Sequence, residues 1–143
     1  MCAYLAIKNL DDRQFKKAVL VLTTGMNIFL FISFVWPTGL NLREGIVYDL
    51  HTLSGNLLKF VQTVDTPKSV FPSMHVYVTL VLQYTLEMQK KLVPSWGIWV
   101  GRVLAVLIVL STMFTKQHSV LDVSAAIVMF AVLAVVVEKI VKK

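Results

Sequence analysis

The sequence predicts an all-α integral membrane protein, a helical bundle with about four transmembrane helices, and three observations carry that prediction. Hydrophobic residues make up 57% of the chain, against roughly 45–50% in an ordinary soluble domain. Charged residues supply only 15%, where about 25% is usual. The apolar residues are gathered into long runs with short basic groups between them, as membrane spans and their flanks require. A soluble domain of 143 residues has no interior large enough for so much apolar surface. Disorder, a collagen-like fibre and a disulfide scaffold are excluded by 6 Gly, 4 Pro and the single cysteine, Cys2.

Met1 to Ile7 is apolar but too short to cross a bilayer, and it lacks the basic start and cleavage site of a signal peptide. Residues 1–17 therefore read as the remnant of a helix followed by a basic cytoplasmic loop, and 18–143 as the membrane domain. Ala18 to Trp36 carries no charge. At 1.5 Å per residue it is about 28 Å long, enough for a first span. The Pro37–Val70 connection is long for a loop, which favours a functional one. Within it Leu53, Leu57, Leu58 and Val61 have helical spacing, so a short amphipathic helix on the membrane is expected there, covering a site or admitting a headgroup. His51 and Asp49 read as ordinary loop residues. Val76 to Met88 is amphiphilic and reaches spanning length only when counted from about Phe71. Trp96 to Phe114 is a third span, interrupted by Arg102. Val120 to Val137 is a fourth, and it contains one acid, Asp122.

A formal charge of +6 would suggest nucleic acid in a soluble chain. Here the basic residues flank apolar runs and no aromatic residues interleave with them, so no nucleic-acid partner is expected. They set orientation instead. Lys8, Arg13, Lys16, Lys17, Lys90, Lys91, Arg102, Lys139, Lys142 and Lys143 fall on one side of a four-span chain, and only Arg43, Lys59, Lys68 and Lys116 on the other. That split of ten to four puts both termini in the cytoplasm, with the long connection and the Thr115–Ser119 turn outside the plasma membrane.

The same topology gathers three helix ends at the outer face, carrying Ser73, His75, Ser111, Lys116, His118 and Asp122. Phe71-Pro72-Ser73-Met74-His75 reads as a helix start with Pro72 at the first helical position. Backbone N–H groups at such an end attract anions, and the Ser73 hydroxyl adds a donor. Ser73 reads equally well as an ordinary helix cap. His75 falls in the first turn, placed to give a proton to a bound group. His118 and Asp122 are four residues apart, one turn if helical, so the carboxylate would accept from one imidazole nitrogen and leave the other as base or nucleophile. A structural His–Asp pair at the membrane boundary is the alternative. Two histidines and an aspartate also suit zinc, but Lys116 beside them opposes a cation, so neither metal nor other cofactor is expected.

Pro72-Ser73-Met74-His75 matches the Pro-Ser-x-His motif of the type 2 phosphatidic acid phosphatase superfamily of lipid phosphatases and haloperoxidases. Ser111, His118 and Asp122 match its later Ser-Arg-(five residues)-His-(three residues)-Asp motif, with Thr112 in place of the arginine. The chain resembles that family from roughly Ala18 to its end, and most closely the inositol phosphorylceramide and sphingomyelin synthase-like branch. The resemblance implies metal-independent phosphoryl transfer on a membrane lipid phosphate. His118 would attack phosphorus and form a phosphohistidine, Asp122 would orient it, and His75 would protonate the leaving alcohol. Ser73 and Ser111 would hold phosphoryl oxygens. Arg43 is the counterpart of an early family arginine, although Glu44 follows it where proline is expected and Trp36 stands where lysine is expected. Arg43 reads as readily as an interfacial anchor. Lys116 lies one turn beyond Thr112, and presents its charge on the same face if that stretch is helical. The family usually has six spans, so the resemblance also implies an N-terminal truncation. Hydrolysis of the lipid phosphate is the leading expectation. Transfer to an alcohol, as in the sphingolipid synthases, and an inactive truncated membrane protein are the alternatives.

Overall fold

The computed structural model describes residues 11–37, 49–64 and 71–142. They form five helices and no strand: α1 (Asp12–Val35), α2 (Leu53–Val64), α3 (Met74–Met88), α4 (Ser95–Phe114) and α5 (Val120–Lys142). Most of the expected N-terminal remnant, together with Arg43 and Lys68, lies outside the described residues.

α1 begins earlier than its apolar run does. Asp12 to Lys17, expected as loop, forms its first turns, where the acid at Asp12 suits the positive end of the helix dipole. Three helices are long and apolar enough to cross a membrane: α1, α4 and α5. The expected second span is shorter, because α3 has 15 residues and measures only about 22 Å. Its packing explains its mixed composition. α3 lies against α1, α4 and α5, α1 also packs on α5, and α4 rests chiefly on α3. A helix enclosed on three sides meets protein where the others meet lipid, so it tolerates Thr79, Gln83, Tyr84 and Thr85.

The core runs along α3, where Val76, Tyr77 and Val81 are buried with Val21 of α1 and Val123, Ala126 and Val137 of α5. Tyr77 fixes the fit of α3 on α1. Its ring lies against the backbone at Gly25, where any Cβ would enter the ring, and its hydroxyl donates to the Val21 carbonyl. Glycine is required there by close approach.

One end of the bundle is held by charge. Lys17 Nζ lies 2.7 Å from Glu138 Oε2, and Arg102 Nε donates to Glu87 Oε1 at 2.7 Å while its guanidinium sits 5.0 Å over Trp99. Gln14 Nε2 reaches the Met88 carbonyl at 3.0 Å. This end collects the start of α1, the end of α3, the start of α4 and the end of α5, so these four helices alternate in direction along the chain. The start of α3, the end of α4 and the start of α5 meet at the opposite end. α2 joins them there, through Gln62 Nε2 donating to the Thr115 carbonyl at 2.7 Å.

Candidate active site

The site is built by two helix starts and the turn before one of them. Ser73 is the N-cap of α3. Its hydroxyl accepts from the Val76 N–H at 3.4 Å, and its carbonyl accepts from Tyr77 at 3.0 Å. Pro72 therefore stands just before the helix and not at its first position. Ser73 is wholly buried, and its own N–H donates to the Asp122 carbonyl at 3.2 Å. That bond fastens the start of α3 to the first turn of α5. Of the two readings for Ser73, the cap is the one the geometry displays. His75 follows in the first turn of α3 and is exposed.

The α4–α5 turn follows from how α4 ends. Thr115 is its C-cap, and Lys116 adopts φ 54°, in the left-handed region. The Lys116 N–H donates to Met113 O and the Gln117 N–H to Thr112 O, both at 3.0 Å. This is the paired bonding of a Schellman motif. The chain thus reverses at Lys116, so the helix needed to carry its ammonium onto the Thr112 face does not exist. Lys116 is exposed in the turn instead. The reversal delivers His118, whose N–H donates to the Thr112 carbonyl at 3.2 Å and whose side chain is buried.

His118 precedes α5, so the expected one-turn helical relation to Asp122 is corrected as well. Ser119, directly before the helix, forms a capping box with Asp122. Asp122 Oδ2 accepts from the Ser119 N–H at 2.7 Å and from its hydroxyl at 2.8 Å, and the Asp122 N–H reaches Ser119 Oγ at 3.3 Å. The buried carboxylate therefore holds the turn that carries His118. The Ser-x-x-Asp spacing of Ser119 and Asp122 is the signal that marks this box in the sequence.

The two histidines do meet. His75 Nδ1 lies 3.4 Å from His118 Nε2, with ring centroids 5.6 Å apart and planes inclined by 57°. One imidazole N–H faces the other ring's lone pair, the direction depending on the tautomers. Ser111 is not brought to them: it is exposed, and its hydroxyl donates to Ile108 O at 2.8 Å. Thr112 is the buried neighbour, its hydroxyl turned back to Val109 O at 2.8 Å. The outcome is an exposed imidazole touching a buried one, both placed by backbone caps, with the Lys116 ammonium two residues before His118. Such a pair can pass a proton, and it can split the roles of nucleophile and acid between its rings. Among the described residues, no group of three or more His, Cys, Asp or Glu side chains is arranged to hold a metal ion. Compared with protein-family models, curated proteins and solved structures, the chain matches none.

Proposed function

We propose that the protein is a membrane phosphatase that hydrolyses a lipid phosphate ester through a phosphohistidine, with its site at the outer face of the plasma membrane. The observation that supports this reading is the 3.4 Å approach of His75 Nδ1 and His118 Nε2, made by residues 43 apart in sequence at one end of an apolar bundle. His118 Nε2 attacks phosphorus, forming an N–P bond as the ester P–O bond breaks. His75 gives its proton to the departing alkoxide. Water then attacks the phosphohistidine, His75 takes the proton, and phosphate and free His118 result. The rings part to admit the phosphoryl group, and exposure of His75 lets water follow, which favours hydrolysis over transfer to an alcohol. Ser119 and Asp122 keep His118 in place. Lys116 supplies charge from the same turn.

The test is purified protein in detergent with EDTA, given radiolabelled lipid phosphates and quenched in base, where phosphohistidine persists. The reading expects a labelled chain in the wild type, none in His118→Ala, and inhibition by vanadate. His75→Ala should slow labelling most for alkyl esters and least for p-nitrophenyl phosphate, whose leaving group needs little protonation. Full turnover in His118→Ala, or dependence on added divalent metal, would defeat it.

A further inference from the structure

We propose that α2 is an interfacial helix that lies in the leaflet nearest the histidines and tethers the His118 turn to it. The proposal does not depend on what the histidines do. Leu53, Leu57, Phe60, Val61 and Val64 fall on one stripe of α2, and every one is exposed, Leu53 by 77% and Phe60 by 66%. Phe60 and Val64 extend the stripe read from the sequence, while Leu58 leaves it and is half-buried. Gln62 lies about 160° round the helix from the middle of the stripe, and it is the buried residue of α2, bonded to Thr115 O. α2 therefore holds the protein by its polar side and turns its apolar side away. Lys59, its one charged residue, is off the stripe.

Lipid is the occupant that fits, because of the level at which α2 is fixed. Thr115 caps α4, a helix long and apolar enough to cross a membrane. α1 reaches higher than that turn. Tyr77, one turn into α3, bonds to Val21, yet α1 continues to Val35. On helix rise, its last part overshoots the start of α3 by roughly 10 Å. That overshoot is apolar and bare: Leu30, Phe31, Phe34 and Val35 are all exposed, Phe34 by 89%. Phe114 and Leu121 continue the exposed apolar surface beside the turn. α2 is thus held at a depth where its neighbours still require a hydrocarbon surrounding. A helix with an apolar stripe and a polar back settles there, ~5–10 Å into the boundary.

The experiment is a nitroxide scan of Leu53 to Val64 in a Cys2→Ser background, with the 143-residue chain in phosphatidylcholine vesicles. Relaxation by oxygen reports lipid, and relaxation by a water-soluble nickel chelate reports water. A label at Val106, exposed on α4, verifies insertion of each sample. The oxygen-to-nickel ratio should be several-fold higher at 53, 57, 60 and 64 than at 56 and 59. With Val106 reporting lipid, stripe positions open to nickel would overturn the proposal. Stripe positions shielded from both agents would overturn it too, by showing a protein on the stripe. The tether is read from a label at Lys116, whose mobility should rise in Gln62→Ala while the stripe keeps its oxygen contrast. Unchanged mobility there would remove the tether.

Discussion

Lys116 offers the sharpest test, because two of its properties can be separated by two substitutions. Its φ of 54° places an L-residue with a Cβ at a helix C′ position, where glycine is the preferred residue. The left-handed conformation costs such a residue roughly 1–2 kcal/mol. Glycine avoids that cost but gives up about 0.4–1 kcal/mol through its greater freedom when unfolded. The net expectation is that Lys116→Gly is more stable than Lys116→Ala by about 0.5–1 kcal/mol. Both variants remove the ammonium, so charge cancels in the comparison. Reversible unfolding in mixed detergent micelles measures this difference. Catalytic efficiency reads the other property. If the ammonium stabilises the transferring phosphoryl group, each variant should lose about 2–4 kcal/mol of transition-state stabilisation, or ~30- to 900-fold. The two losses should be equal, since neither side chain carries charge. Equal stability of the two variants would refute the left-handed turn. Full activity in both would leave Lys116 as a turn residue alone.

Gly25→Ala should destabilise the bundle by about 1–3 kcal/mol, because the new methyl group enters the Tyr77 ring; a thermal melt in detergent measures it, and an unchanged melt would contradict the contact. Tyr77→Phe keeps the ring and drops the bond to Val21 O, for a smaller cost of about 0.5–1.5 kcal/mol. Ser119→Ala removes the capping box on Asp122 and should cost about 1 kcal/mol; its slowing of phosphoenzyme formation is read by rapid quench. Lys17→Glu should weaken the bundle by about 1–2 kcal/mol, between the values for exposed and buried pairs, since Lys17 and Glu138 are only partly exposed. Adding Glu138→Lys should restore most of that loss, and failure of the double variant to recover would mean the pair contributes nothing.

Three of the four expected spans were legible because lipid imposes a crude rule, apolar residues for the length of the bilayer, and α4 and α5 start within a residue of their apolar runs. What escaped was set by neighbours. Asp12 to Lys17 holds one apolar residue, Phe15, and is too polar to read as span, yet the segment is helical, with Gln14 and Lys17 bonded to Met88 and Glu138. The meeting of His75 and His118 followed from topology alone. The turn that aims His118 did not, because helix stops of this kind are recognised by glycine and here lysine occupies the position. Helical spacing therefore misplaced Lys116 relative to Thr112, and it did not point to Ser119 as the residue that Asp122 caps. Ser73 shows the limit of a motif: the residue type is compatible with a cap and with a ligand, and only its burial and its bond to Val76 display the cap.

The central place of α3 bears on how the chain enters a membrane at all. With His75 at one end, Gln83 inside and Glu87 near the other, α3 is a poor solute for hydrocarbon, where a lone acidic side chain costs ~2.5–3.5 kcal/mol at the bilayer centre. It becomes acceptable only once α1, α4 and α5 have replaced lipid around it. Its connection to α4 is short, Gln89 to Pro94, and carries Lys90 and Lys91, which resist translocation. α3 and α4 should therefore insert together as a hairpin, with the basic bend left behind and α4 drawing its partner in. His75 then travels at the tip of a helix that has no independent residence in lipid, and the approach of His75 to His118 should form only as α5 docks. Assembly of the bundle and assembly of the site are one event.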